Sequence, residues 1–462
     1  MTRQQITLSP INGSEFVRRD LATPQQIADK LARAQAAQAP WRATPLVERC
    51  RLVGAGIDRF VQRKPQIAEE LTRQMGRPLR YTPSEVDGFA ARARHMLSIA
   101  EEALEPIRPA PISGFTRYIA REPWGTVLVI APWNYPLLTA VNAVVPALVA
   151  GNTVLLKHSA QTPLAAERMV DAFVEAGVPV GAFQFLHCDH DATQKLIASP
   201  GIDFVAFTGS VAGGAAVEQA AAGRFMGLGL ELGGNDPAYV RADADLKHAV
   251  ETIVDGAFFN SGQSCCGIQR VYIHRSRYED FIAAAVELTN QYVLGNPLQP
   301  ETSLGPVVRS SAADAVRAVI AQALGQGAKP LIDPRRFERD QPGTPYVAPQ
   351  MLALVNHPMR IMAEECFGPV CGVMPVDGDE DALQLMNDSP YGLTAALFTQ
   401  DEDAAQSLGA RINTGTVFMN RCDYLDPALA WTGMKNSGRG ATLSVLGYEH
   451  LTRPKSYHLK KL

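Results

Sequence analysis

Apolar residues return at helical spacing from about residue 24 to 104, behind a Thr23-Pro24 pair with Ile27, Leu31 and Ala34 on one face. Threonine followed by proline opens helices, because the hydroxyl accepts a free N–H and proline needs no hydrogen bond in the first turn. The sequences Arg63-Lys64-Pro65 and Arg77-Pro78 interrupt the run, so several helices are expected rather than one. Residues 106–123 are proline-rich and extended, with Phe115, Tyr118 and Ile119 as strand residues; a surface linker and a strand bridging subunits both fit.

From Gly125 the period changes. A β-branched run at 126–130 predicts a buried strand, 136–150 an apolar helix ended by Gly151, 153–157 a strand, and 163–176 a helix ended by Gly177. Short strands are expected at 183–186, 204–208 and 227–232, with helices between them. A second round starts at Pro237, with a helix at 246–259, a strand at 270–273 and a helix near 278–292. It runs to about Gly440, before a polar, basic-tipped tail of some twenty residues. Such alternation predicts an α/β protein with doubly wound parallel sheets, whose ligands sit at the carboxyl ends of the strands.

Composition narrows this picture. A chain of 462 residues exceeds one compact core, so two or three domains are expected. The 46% hydrophobic and 19% charged residues exclude a mostly disordered chain, and a net charge of -4 gives no reason for a nucleic-acid or anionic-membrane partner. Seven cysteines, at 50, 188, 265, 266, 366, 371 and 422, are odd in number, scattered and without CxxC spacing. That points away from a disulfide framework and towards a reducing compartment. The polar N-terminal segment lacks a secretory core, and the longest apolar region, 127–150, is broken by Pro132, Asn134, Pro136, Asn142 and Pro146. A cytoplasmic protein with no membrane span is expected.

The usual GxGxxG dinucleotide fingerprint is missing after the first strand. Instead the strand at 204–208 runs into a Gly-Ser turn, Gly209 and Ser210 with Gly214 beyond, opening a helix whose free N–H groups suit a pyrophosphate. A purely steric use of the glycine fits that turn equally well. Glu231 closes an apolar strand, where a carboxylate is costly unless paired or used; bonding to backbone amides is the structural alternative. Cys265 lies in a polar, glycine-containing turn where amide dipoles favour a thiolate, whereas the other cysteines have the surroundings of inert, buried small hydrophobes.

Taken in order, seven stretches make the chain resemble the aldehyde dehydrogenase superfamily: Pro-Trp-Asn-Tyr-Pro at 132–136, Leu-Lys at 156–157, Phe-Thr-Gly-Ser at 207–210, Glu-Leu-Gly-Gly at 231–234, Gly-Gln-Ser-Cys at 262–265, Glu-Glu-Cys-Phe-Gly-Pro-Val at 364–370 and Lys-Asn-Ser-Gly at 435–438. The resemblance implies oxidation of an aldehyde to a carboxylic acid with NAD or NADP. In that chemistry Cys265 is the nucleophile, Asn134 with the Cys265 N–H stabilises the oxyanion, and Glu231 is the base for thioester hydrolysis. It implies Lys157 at the adenosine ribose, Gly209 and Ser210 at the pyrophosphate, Glu365 and Phe367 at the nicotinamide ribose, and Ile130, Pro132, Trp133, Ser159, Ala160 and Gly214 along the same cleft. Tyr135, Phe259, Tyr424 and Trp431 are the implied substrate tunnel, and no metal is called for. Cys266 is expected to pack in the core.

The implied architecture is a cofactor-binding domain (1–106 and 123–233), a catalytic domain (234–438) and a small β bridging element (107–122 and 439–462) that assembles a homodimer or homotetramer. Where NAD-preferring relatives often carry glutamate three residues after the lysine, this chain has Ala160, which removes a repulsion against a 2′-phosphate and points to NADP. The sequence Leu-His-Cys-Asp-His at 186–190 replaces a glycine-rich turn; its His187, Cys188 and His190 lack a fourth partner for a metal. Asn142 stands where some relatives have tryptophan, leaving room or adding polarity. Arg421 is read first as a solvated arginine, with a hold on a substrate carboxylate as the alternative. A CoA-acylating enzyme and a catalytically silent protein are the rival functions, and the Cys265, Glu231 and Asn134 set argues against both.

Overall fold

A computed structural model describes residues 3–462. Strands β1 (Gln4–Leu8) and β2 (Glu15–Asp20) form an antiparallel hairpin ahead of the helices. The sequence does not announce it, since only Thr7 and Val17 are buried and no alternation of apolar and polar positions results. Five helices follow: α1 (Pro24–Ala43), α2 (Leu46–Gln62), α3 (Lys64–Met75), α4 (Thr82–Ser98) and α5 (Ala100–Leu104). At the start of α1 the Thr23 hydroxyl accepts the Gln26 N–H (3.2 Å), while the Gln26 side chain accepts the Thr23 N–H (2.9 Å).

Beyond β3 (Phe115–Pro123), strand and helix alternate: β4 (Thr126–Ala131), α6 (Pro136–Ala150), β5 (Thr153–His158), α7 (Pro163–Glu175), β6 (Phe183–Phe185), α8 (His190–Ala198), β7 (Phe204–Thr208), α9 (Val211–Ala221) and β8 (Gly227–Glu231). The second round holds β9 (Asp236–Val240), α10 (Leu246–Phe258), β10 (Ile268–His274), α11 (Tyr278–Thr289), α12 (Ser310–Gly325), β11 (Lys329–Pro330), β12 (Gln350–Ala353), α13 (Arg360–Ala363), β13 (Val370–Val376) and α14 (Asp379–Asn387). It ends with β14 (Tyr391–Gly392), β15 (Thr394–Phe398), α15 (Glu402–Gly409), β16 (Thr416–Met419), β17 (Met434–Lys435) and β18 (Gly438–Arg439).

These strands make two main sheets. One has the order β18-β8-β7-β4-β5-β6, parallel except for the β18 edge; the other runs β11-β12-β13-β10-β9-β15-β16, parallel except for β11. The apolar stretch that opens the first sheet is a core helix. In α6 thirteen of the fifteen residues are buried, which is why it reads as greasy all round. Among the described residues no helix is long and apolar enough to cross a membrane.

The tail departs from a plain extended segment. Residues Ser444–His450 form α16, whose buried Tyr448 donates its hydroxyl to Met96 O (2.7 Å), tying it to the N-terminal helices. Only then does β19 (Thr452–Lys460) pair antiparallel with β3 over nine residues, as a two-stranded ribbon separate from both main sheets.

Register brings the chemistry together. Across the first sheet Ile130 pairs with both Lys157 and Phe207, and Thr208 pairs with Glu231. One row of residues at the carboxyl ends of four strands therefore carries Ile130, Lys157 and Glu231, with Gly209 and Ser210 in the turn just beyond.

Candidate active site

The turn Phe259–Gly262 leaves α10 through three successive left-handed residues, Asn260 (φ 53), Ser261 (φ 57) and Gly262 (φ 68). Each L-residue held there costs about 1–2 kcal/mol, so the turn persists only because its partners fix it. Asn260 Oδ1 accepts from Arg77 (3.1 Å), its Nδ2 donates to the carbonyls of Asn134 (3.3 Å) and Gln263 (3.2 Å), and Ser261 donates to Gly305 O (2.7 Å). Gly262 is obligatory on space as well as angle: a Cβ there would stand 2.1 Å from Gly368 O. This contact joins the cysteine turn to the Glu-Glu-Cys-Phe-Gly-Pro-Val stretch. Within residues 260–270 only Cys265 is not fully buried.

Cys266 does pack inside, but against a polar partner. Its thiol donates to Asp423 (2.8 Å), as does the Ser264 hydroxyl (3.1 Å). Its hydrogen bond with Cys265, its burial and the Asp423 carboxylate push that thiol well up, so it stays protonated. Of the adjacent cysteines, Cys265 is the one left accessible.

Asn134 is buried and held from both sides. Arg77 donates to its carbonyl (2.5 Å) and is itself paired with Glu85, which also accepts the Leu137 N–H (2.9 Å). The Asn134 Nδ2 donates one hydrogen to Gln263 O (3.2 Å), which fixes the amide and leaves its second N–H for a ligand. Among the described residues the Cys265 N–H meets no protein acceptor. Two unspent N–H donors at the cysteine turn are what an oxyanion site requires. Sequence reasoning saw Arg77 only as a helix interruption and missed Glu85. Nothing local in the chain marks this buried pair, whose partners lie 8 to 183 positions away.

Glu231 closes β8 and is held by two hydroxyls, Thr208 (3.0 Å) and Thr442 (2.5 Å), rather than by backbone amides. Burial pushes its carboxyl up, and the two threonines and the more distant Arg92 work against that. A carboxylate so placed is a base with a raised affinity for protons.

The cofactor candidates line the same sheet edge. Lys157 is 7% exposed and, among the described residues, has no carboxylate within ion-pair distance. Burial lowers its proton affinity. A buried, uncompensated cation fits an anionic or polyhydroxylated ligand. Ser210 caps α9 by accepting the Gly213 N–H (3.2 Å), so the Gly-Ser turn does open a helix; a Cβ at Gly209 would meet the Phe207 ring, and one at Gly214 would meet Leu232. Trp133 packs edge-on against Phe367 (5.7 Å between centroids) beside half-buried Pro132. Glu365 stacks over the two glycines at 233 and 234. It accepts the Gly234 N–H (3.2 Å), a Cβ at Gly233 would lie 2.2 Å from its carboxylate, and burial pushes it up to about 7. Half-buried Ser159 and exposed Ala160 continue from β5, with no carboxylate at the alanine. These surroundings fit a dinucleotide.

A cavity of about 710 Å³ opens onto Cys265 and Glu231, within the usual range for small-molecule sites. All four aromatic residues expected in the tunnel line it: Tyr135, Phe259, Tyr424 and Trp431. Arg92 and Asn142 line it too. Arg421 does not; it is exposed and stacks on Tyr424 (3.4 Å), as a solvated arginine would. His187 bonds Glu167 (2.9 Å) and Cys188 bonds Thr193 (3.3 Å), so the 186–190 segment is occupied with structural contacts.

Known proteins resemble this chain over nearly its whole length. The model of the aldehyde dehydrogenase family matches residues 2–457. An aldehyde dehydrogenase of Paenarthrobacter nicotinovorans is 34% identical over 97% of this chain and 98% of its own. A succinate-semialdehyde dehydrogenase (NADP+) of Deinococcus radiodurans is 33% identical over 97% of this chain and 93% of its own. The crystal structure of succinic semialdehyde dehydrogenase from Streptococcus pyogenes in complex with NADP+ superposes with a TM-score of 0.94, at 28% identity over 99% of this chain and 100% of that one.

Proposed function

The chain belongs to the aldehyde dehydrogenase family, and on that premise we propose that Cys265, Asn134 and Glu231 carry its NAD(P)-dependent oxidation of an aldehyde to a carboxylic acid. The observation that carries the assignment is one cavity reached by the sole accessible sulfur of the cysteine turn and by a carboxylate held between two hydroxyls.

Attack of the Cys265 thiolate on the aldehyde carbon gives a thiohemiacetal, whose oxyanion takes hydrogen bonds from the free Asn134 N–H and the Cys265 amide. A nicotinamide held in the cleft would supply the hydride acceptor needed to oxidise this adduct to a thioester. Glu231 then removes a proton from water as its oxygen attacks the thioester carbonyl, releasing the acid and restoring the thiolate. Lys157, Ser210, Glu365, Trp133 and Phe367 hold the cofactor, with Gly209, Gly214, Ile130, Pro132, Ser159 and Ala160 along its path. NADP is our preferred cofactor, because Ala160 offers no carboxylate against a 2′-phosphate and Lys157 has no anion of its own; an NAD preference of about tenfold or more in kcat/KM ends that preference.

The test is a single-turnover experiment. Glu231→Gln is expected to give one equivalent of reduced cofactor and then stall, with an acyl mass on Cys265, while Cys265→Ala gives no burst. Steady turnover by folded Cys265→Ala protein overturns the assignment. We also propose that residues 1–106 and 123–233 form the cofactor domain, 234–438 the catalytic domain, and 107–122 with 439–462 a bridging element pairing subunits as a dimer or tetramer. A ribbon that belongs to neither main sheet supports this, and a monomer in sedimentation rejects it.

A further inference from the structure

The cavity contains a cation without an anion. Arg92 stands on α4, packed against α6, and its Nη1 donates to Leu138 O (2.9 Å) and to Asn142 Oδ1 (3.2 Å). Among the described residues its Nε and Nη2 donate to nothing, and no carboxylate lies within 4 Å. The other arginine of the cavity, Arg77, is fully matched by Glu85. The acids facing Arg92 are already engaged: Glu231 by two threonines and Glu85 by Arg77. The remaining acids of the cavity, Glu251, Asp255 and Asp423, belong to α10 and to the loop after β16, and none of them forms an ion pair with Arg92. Arg92 is half-buried at the cavity wall with no carboxylate beside it, and Asn142 is an otherwise unexplained polar residue in an apolar helix. Together they make a fixed fork with donors to spare.

We propose that Arg92, oriented by Asn142, binds the carboxylate of an aldehyde that carries an acid group at its far end, so that the preferred substrates are short semialdehydes. A planar carboxylate accepts two N–H donors of one guanidinium, which a hydroxyl or alkyl end cannot do. The inference rests on the assignment of Cys265 as nucleophile, since that fixes which end of the cavity takes the aldehyde.

Two variants test it from opposite sides. Arg92→Met removes the fork. Asn142→Asp keeps the shape but places a built-in carboxylate against Nη1, occupying the guanidinium. Both are expected to lower the ratio of kcat/KM for succinate semialdehyde over butanal by about thirtyfold or more, chiefly through KM. Binding of succinate semialdehyde to Cys265→Ala protein, followed by calorimetry, needs no turnover, and adding Arg92→Met is expected to abolish it. If the wild type shows no turnover but the calorimetric pair differs, the catalytic assignment and the substrate preference fail, while carboxylate binding by Arg92 stands. A wild type indifferent between succinate semialdehyde and butanal overturns the proposal. So does an unchanged ratio in both variants, or a preference for a trimethylammonium aldehyde, which would hand the cavity to the acids of α10.

Discussion

At the scale of single residues, the site works by leaving particular hydrogens unspent. Asn134 gives one amide hydrogen to Gln263 and keeps the other, so Asn134→Ala removes a donor without removing the nucleophile. The expected loss in kcat is about 10²–10³-fold, with cofactor affinity as the control. The proposed base, Glu231, is tuned by its surroundings. Burial raises the Glu231 carboxyl above its ordinary value, so hydrolysis is lost as pH falls through that raised value, and the acid limb of kcat should lie above the usual carboxylate range. The Thr442 hydroxyl favours the charged form, so Thr442→Val should move that limb to higher pH in a pH–rate profile of the hydrolytic step.

Elements explain why the motifs contain the glycines they do. Gly262 satisfies a left-handed angle and a backbone contact at once, and Gly233 makes room for the Glu365 carboxylate. Gly262→Ala should cost about 2 kcal/mol or more of stability by denaturant unfolding and most of the activity, because the turn that aims Cys265 must open. The local half of this was legible in the sequence: Gly151 caps the end of α6, Ser210 caps the start of α9, and β7 spans the residues its apolar run predicts. What was hidden is held by distance. Arg77 reaches Asn134 and Asn260 from the turn between α3 and α4, Thr442 reaches Glu231 from the far end, and Arg92 and Asn142 meet across two helices. The β1–β2 hairpin escaped for the opposite reason, too few buried positions to leave a pattern.

Across the whole molecule, one buried acid couples the core of the second sheet to pH. Asp236 begins β9, accepts from the Thr394 N–H (3.2 Å) and hydroxyl (2.5 Å), and is pushed up to about 8 by burial. Between its unfolded value of 3.8 and that raised value the folded protein holds a proton the unfolded chain has released. Stability from this group is therefore full below the lower value and declines as pH climbs to the higher. Asp236→Asn should flatten the fall in Tm between pH 5 and pH 8.5. The placement of Thr442 has a further consequence for biosynthesis. Because the hydroxyl that steadies Glu231 comes from the chain's last 21 residues, and α16 beyond it docks on helices made first, a nascent chain on the ribosome carries its sulfur long before its hydrolytic carboxylate is oriented.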